Sequence, residues 1–328
     1  RAIKCYIEAI KLDPKNIPIY NNLANAFKEI KNYKMALQVY ADILKINPND
    51  FNTFNNIGII FELIGDNNKA IEAYKQAVRI NPNHAKSINN IGVVLYKQKR
   101  YKESAQIFEI ALQVDENYFE VYSNKGAAYN KAKDYDKAIE SLEMAILKMP
   151  NHGGAYTNLG NVYNKLHDYE KASKLHEKSI ELEPNGSNAY SNLGTSYKYL
   201  GLSNKAISSY KKAIELDPNF VNAHFDLATM YLAMEDFENG WKEYEWRFKK
   251  EEMIPHIIRH KDIFSKPLFT GAEDIKGKIL LLHSEQGYGD SIQFIRFLPQ
   301  IKEKFGCKIA VKCREGLKEL FSTIEEID

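Results

Sequence analysis

Apolar and small residues return in fixed columns 34 positions apart along this chain. Counting from residue 17, the eighth position of each interval is small: Ala24, Gly58, Gly92, Gly126, Gly160, Gly194 and Ala228. The eleventh is bulky: Phe27, Phe61, Leu95, Tyr129, Tyr163, Tyr197 and Tyr231. The twentieth is small again: Ala36, Ala70, Ser104, Ala138, Ala172 and Ala206. Small residues let two helices approach closely, and a bulky eleventh residue is expected to fill the groove they leave. Prolines keep the same phase at Pro14, Pro48, Pro82, Pro150, Pro184 and Pro218, with Glu116 in the one slot that lacks a proline. The period predicts a helix–turn–helix unit that cannot bury its apolar face alone. Neighbouring units must stack into a superhelix with a concave wall.

Full repeats span 17–50, 51–84, 85–118, 119–152, 153–186 and 187–220. Residues 1–16 supply the second helix of an earlier repeat, with Ala2, Tyr6 and Ala9 in its small and aromatic slots. A degenerate seventh unit with capping helices covers 221–254. The columns resemble those of tetratricopeptide repeat (TPR) proteins over three quarters of the chain, which implies a mainly α, right-handed TPR superhelix. Two positions depart from the pattern. Lys125 stands where other repeats carry Leu or Ile, so either its stem snorkels or that contact is weak. The seventh unit carries Gly240-Trp241 and Trp246-Arg247-Phe248, large aromatics suited to packing on something other than another repeat. The chain opens on Arg1 inside a helical pattern, which reads as the interior of a longer protein.

Position six holds Asn22, Asn56, Asn90, Asn124, Asn158 and Asn192, then Asp226. On a helix it faces away from positions four, eight and eleven, so the amides are expected to line the concave wall. A carboxamide offers donor and acceptor together and can bond a peptide main chain whatever its side chains. The row resembles the asparagine ladder in the TPR region of O-GlcNAc transferase, and the resemblance implies capture of an extended protein segment. Position five holds Asn21, Asn55 and Asn89, then drifts to Ser123, Thr157, Ser191 and Phe225, so solvated or inter-repeat contacts remain the competing reading of the row. Lys97, Lys131 and Lys165 form a second stripe at position thirteen, open to two readings: an attractor for acidic segments, or a solvated face.

A net charge of +2 with 27% charged residues gives no bulk reason to expect nucleic acid, and no apolar stretch is long enough to insert in a membrane. Three cysteines, Cys5, Cys307 and Cys313, are too few and scattered for a disulfide framework. The last two bracket an apparent strand, roughly 20 Å at about 3.3 Å per residue, which excludes a bridge. They read as core thiols of a cytoplasmic protein.

The rhythm stops near residue 255, and 255–328 reads as a truncated α/β, Rossmann-like segment. Residues 278–283 predict a buried parallel strand. The loop Glu285, Gln286, Gly287, Tyr288, Gly289, Asp290 follows, then an amphipathic helix over 291–304, a strand over 308–312 and a short helix ending near Phe321. Two glycines let backbone approach a ligand, but the third glycine of a dinucleotide fingerprint is missing. The string 280–297 (LLLHSEQGYGDSIQFIRF), with Gly-Trp-x-x-Tyr-Glu-Trp-Arg at 240–247 and Lys266-Pro267-Leu268, resembles the transferase half of bacterial TPR-fused glycosyltransferases, relatives of the heptosyltransferases. That resemblance implies a GT-B enzyme in which Asp290 is the catalytic base, with Glu285, Gln286, Gly287 and Gly289 as the ligand loop and a nucleotide sugar as donor to the parent protein. Asp290 also suits an N-cap of a helix starting at Ser291. No metal site or cofactor is expected in this chain, and the second, nucleotide-sugar-binding domain is not encoded. An open sheet edge must pack on the last repeat, pair with another copy or stay partly disordered. The expected function is therefore the protein-substrate recognition array of a TPR-fused glycosyltransferase, without transferase activity of its own. The alternative is a non-enzymatic TPR adaptor.

Overall fold

The computed structural model describes residues 1–250, 269, 271–283 and 288–328, with the side chain of Asp290 excepted. They divide into two compact units, Arg1–Gly240 and Trp241–Asp328.

The first unit is a helical solenoid in the predicted phase. α1 (Ala2–Leu12) is the orphan second helix. The repeats follow as α2 (Ile17–Glu29) with α3 (Tyr33–Ile46), α4 (Phe51–Ile64) with α5 (Asn67–Ile80), and α6 (Ala85–Lys97) with α7 (Tyr101–Val114). Next come α8 (Glu120–Ala132) with α9 (Tyr135–Lys148), α10 (Gly153–Lys165) with α11 (Tyr169–Leu182), and α12 (Ser187–Tyr199) with α13 (Ser203–Leu216). α14 (Val221–Ala233) and α15 (Phe237–Tyr244) form the seventh pair, and a 3-10 helix continues over Glu245–Lys249.

Each turn inside a repeat is built the same way. The residue at position fifteen adopts a left-handed conformation: Lys31, Gly65, Lys99, Lys133, His167, Gly201 and Glu235 all have φ between 58° and 88°. The next residue's N–H then reaches back to the carbonyl of position eleven, as Asp66 to Phe61 (2.9 Å) and Asp134 to Tyr129 (3.0 Å). This is the 6→1 bond of a Schellman motif. That same residue often caps the second helix, Asp66 Oδ1 accepting from Lys69 N (3.1 Å) and Asp168 Oδ1 from Lys171 N (3.1 Å).

The eighth-position glycines do allow close approach, but the ring laid on them comes from position twenty-four, not eleven. A Cβ on Gly58 would collide with Tyr74, on Gly92 with Phe108, on Gly160 with His176 and on Gly194 with Tyr210. Of the two, position twenty-four is the more deeply buried: Tyr40, Tyr74, Phe108, Leu142, His176 and Tyr210 are at most 1% exposed. Burial pushes the Tyr40 hydroxyl up to about 12, and burial with Glu62 raises that of Tyr74 further. The seventh repeat is more regular than its sequence implied. Gly240 takes the small twentieth position, where a Cβ would meet Leu232. Lys125 is half-buried, its Nζ lying 6.0 Å from the Tyr122 ring centroid.

In the second unit β1 (Ile279–His283) and β2 (Lys308–Lys312) pair in parallel, Ile279 opposite Lys308 and His283 opposite Lys312. Two helices, α16 (Tyr288–Ile295) and α17 (Leu298–Phe305), lie between them where one helix over 291–304 was expected. Phe297 interrupts the run, with Pro299 in the first turn of α17, where a missing N–H costs nothing. A last turn, α18, spans Lys318–Phe321. Leu298, Cys307 and Ile309 centre a small core with Leu280, Leu282 and Phe305. The expectation of a strand buried on both faces fails: Ile279 is 70% and Leu281 42% exposed, because the small core packs on the other face only.

Candidate polypeptide-binding groove

First helices of successive repeats touch one another, α6 with α8, α8 with α10, α10 with α12 and α12 with α14. The layer in which neighbours approach most closely is the inner side of a curved stack, so these helices form its concave wall. On each, positions two, six, nine and thirteen share one face, the spacing of a single helical stripe. This is the least buried face of α8, for example, where Glu120 and Lys131 are exposed and Asn124 and Ala127 half-buried.

The position-six residues fall on this stripe. Asn22 is exposed, and Asn56, Asn90, Asn124, Asn158, Asn192 and Asp226 are half-buried. Three of them are tied to the preceding repeat, the inter-repeat contact that the competing reading of the row expected. Asn90 Nδ2 donates to Asn55 Oδ1 (3.0 Å), Asn124 Nδ2 to Asn89 Oδ1 (3.2 Å) and Asn158 Nδ2 to Ser123 Oγ (3.2 Å). Position five, which drifts in sequence, is thus the acceptor of each rung and is buried at Asn55, Asn89 and Ser123. An amide whose nitrogen is pinned behind it presents its carbonyl oxygen in a fixed direction. Among the described residues nothing bonds that oxygen in Asn90, Asn124 or Asn158.

The rungs stop at both ends. Asn21 Oδ1, the equivalent acceptor at the first junction, is buried without a partner among the described residues. At the other end Thr157 Oγ1 turns to Ser179 Oγ (2.7 Å), and the Asn192 amide has no rung. Sequence reasoning missed these pairings because each joins residues 35 positions apart through two different columns.

The position-thirteen lysines are exposed and lie on the same stripe. Lys97 pairs with Glu62, which also accepts from Tyr74 Oη (3.0 Å). Lys131 and Lys165 make no ion pair among the described residues. His176 is fully buried, with Nε2 3.3 Å from Asn164 Nδ2 and Nδ1 without a partner among the described residues. Burial pushes its pKa down from 6.5 to about 4.

In the second unit the residues singled out for chemistry are not brought together as a described site. Glu285, Gln286 and Gly287 lie outside the described residues. Gly289 falls in the first turn of α16 with nothing near its Cβ direction. α16 begins at Tyr288, so the backbone of Asp290 sits inside the helix and not at its N-cap, because the helix starts three residues before the expected Ser291. Its side chain lies outside the described set.

Tetratricopeptide repeat models match residues 1–31 and 63–99, 17–50 and 85–118, 117–184 and 152–219, and 209–243. No curated protein matches the sequence. Among solved structures the chain is similar to the Cut9–Hcn1 hetero-tetramer of the APC/C, with 15% identity, 75% of this chain and 49% of that one covered, and TM-score 0.61. It is also similar to the type IV pilus biogenesis factor PilW (22% identity, 66% and 98% covered, TM-score 0.57). A third is a tetratricopeptide repeat protein from Parabacteroides merdae (19% identity, 70% and 90% covered, TM-score 0.56). At these identities the likenesses speak for fold alone, and they agree with the columns, turns and helix pairs: the helical part of this chain is a tetratricopeptide-repeat solenoid.

Proposed function

We propose that the solenoid is the polypeptide-recognition array of a TPR-fused glycosyltransferase, and that it holds an extended protein segment along its concave stripe. The observation that carries the reading is the pinned row Asn90, Asn124 and Asn158, whose free carbonyl oxygens recur once per repeat. Contacting helices lie about 8–10 Å apart, so one oxygen serves every third residue of a chain rising about 3.3 Å per residue. Main-chain N–H groups of a threaded segment are the complementary donors, and their use leaves the acceptor's side chains unread. The parallel pair β1–β2 with its intervening helices supports the transferase half of the reading, as the opening strand–helix–strand of a doubly wound sheet. In that half, Asp290 would act as base toward the acceptor hydroxyl, and the nucleotide sugar would come to a domain beyond this chain. An adaptor reading leaves that α/β segment without a role.

The test uses fluorescent extended peptides of mixed sequence and measures affinity by anisotropy. Asn22→Ala and Asn192→Ala remove ladder amides that hold no rung, so they leave the stack intact; Asn124→Ala removes a rung as well. Each is expected to weaken all peptides by a similar factor, with Asn124→Ala the strongest. Unchanged affinity in all three, with circular dichroism confirming the fold, would end the ladder reading. The chain alone is expected to transfer no sugar from nucleotide donors, and detectable transfer would overturn the division between recognition and catalysis.

A further inference from the structure

Across the four repeats from 85 to 220 the charge is sorted by layer. The first helices α6, α8, α10 and α12 carry six lysines (Lys86, Lys97, Lys125, Lys131, Lys165 and Lys198) against one acid, Glu120. The second helices of the same repeats, α7, α9, α11 and α13, carry nine lysines against nine acids. Over these four repeats the first helices therefore carry a positive excess, with Lys86, Lys97, Lys131 and Lys165 of it on the concave stripe, while the second helices are balanced. Lysine near a helix C-terminus is mildly favourable in itself, but Glu29, Leu63 and Tyr199 hold the same thirteenth position in other repeats, so the helix end does not demand it. Like charges along one concave wall reinforce one another's field.

The stripe is also graded along its length. At α4 it is apolar, with Ile59 half-buried and Leu63 52% exposed, and Val93 of α6 extends the patch. Lys97 beside it is neutralised by Glu62. Further along, Lys131 and Lys165 stand exposed beside Asn124 and Asn158, and the stripe of α10 and α12 contains no acid.

We propose that the groove selects an acidic extended segment: an apolar residue seats on Ile59, Leu63 and Val93, and carboxylates about six and nine residues away pair with Lys131 and Lys165. The spacing is the repeat-to-repeat distance of about 8–10 Å divided by about 3.3 Å per residue. This rests on the polypeptide reading above and adds the chemistry of the ligand. A single-stranded nucleic acid is the less favoured anion, because Tyr199 is the one aromatic on the stripe of α4, α6, α8, α10 and α12 and stacked bases need a platform.

Three peptides of one length test it: one with Leu followed by Glu six and nine residues on, one with Gln in place of both Glu, and one with Lys in place of both. Affinities are read by anisotropy between 50 and 500 mM salt, with an oligothymidine of similar length in parallel. The acidic peptide is expected to bind about tenfold tighter than the Gln peptide at low salt, with the gap closing as salt rises. Lys131→Gln/Lys165→Gln should erase the gap while leaving the Gln peptide's affinity unchanged. Leu63→Asn should weaken the acidic and Gln peptides alike. Equal binding of the acidic and Gln peptides overturns this proposal and leaves the ladder reading standing; a gap that survives the double lysine variant overturns it too, as does oligothymidine binding as tightly as the acidic peptide. Failure of every peptide to bind removes the ladder reading and this proposal together.

Discussion

The repeats at 85–152 and those at 153–220 follow one backbone plan, but one repeat of the second pair buries a polar ring where the first pair is apolar. In the first pair, Phe108 and Leu142 cover Gly92 and Gly126 within a cluster that includes Ala111, Val121, Ala128 and Ala138, with Ser87, Asn89, Ser104, Ser123 and Ser141 also buried. In the second, His176 covers Gly160 and Tyr210 covers Gly194, and Ser173, Ser179, Ser191, Ser196 and Ser209 are buried. Its joint is held by hydrogen bonds, Ser179 Oγ to Gly153 O (2.9 Å), Ser196 Oγ to Asn164 Oδ1 (2.9 Å) and Thr157 to Ser179. Net hydrogen bonds contribute about 0.5–1.5 kcal/mol each, whereas a fully buried apolar side chain contributes roughly 1.5–3 kcal/mol. What the solenoid needs at position twenty-four is a well-filled contact, not a particular chemistry. Thr157 is engaged by Ser179, so the asparagine rungs end at this joint.

The largest test of that contrast truncates the two rings. Phe108→Ala should cost about 3–5 kcal/mol in chemical denaturation, and His176→Ala clearly less, since the ring it removes is polar. Equal losses would mean that the two interiors are energetically alike. The next test is pH. His176 titrates near 6.5 when unfolded and is pushed down to about 4 when folded. Between those values the unfolded chain takes up a proton that the folded chain refuses, so stability rises with pH. It is full above about pH 6.5 and falls by about 3 kcal/mol as pH drops toward 4. His176→Leu, which copies the residue Leu142 one repeat earlier, should remove that slope, and a slope that persists would place it elsewhere.

Overpacking comes third. A Cβ on Gly92 would lie 2.6 Å from Phe108 Cε1, so Gly92→Ala should cost about 1–3 kcal/mol. Gly160→Ala drives its Cβ equally close to His176, and comparing the two melting shifts reports how readily each interior yields. The smallest effect lies at the shared turn. Lys99 holds φ 62° where Gly65 and Gly201 hold theirs freely. Lys99→Gly should raise stability by up to about 1 kcal/mol, and His167→Gly by the same amount, since the turn does not distinguish the two interiors. A marked difference between them would show that it does.

The helix pairs were legible in the sequence because a 34-residue period states the same instruction seven times. Proline phase and small columns placed both helices of every full repeat, and β2 fell on 308–312 as expected. The ring on the glycine was harder to see, since position twenty-four mixes Tyr, Phe, Leu and His and shows no single residue type to the eye. The asparagine column was visible, but its anchoring was not. Asn124 meets Asn89, and Asn158 meets Ser123, across a join between repeats whose register depends on how helices pack. In the α/β segment a single helix was expected over 291–304, but one helix stops at Ile295 and the next starts at Leu298, within a run that otherwise keeps its apolar spacing.

Local chemistry therefore settled what each stretch of chain becomes: helices, caps and left-handed turns depend on neighbours a few residues away, which any reader of the sequence can inspect. Tertiary structure decided which polar groups are tied down and which face the groove, because residues 32 to 35 positions apart meet only after the repeats have stacked. Thr157 could have accepted from Asn192 as Ser123 accepts from Asn158; its turn toward Ser179 was decided by a buried serine on another helix.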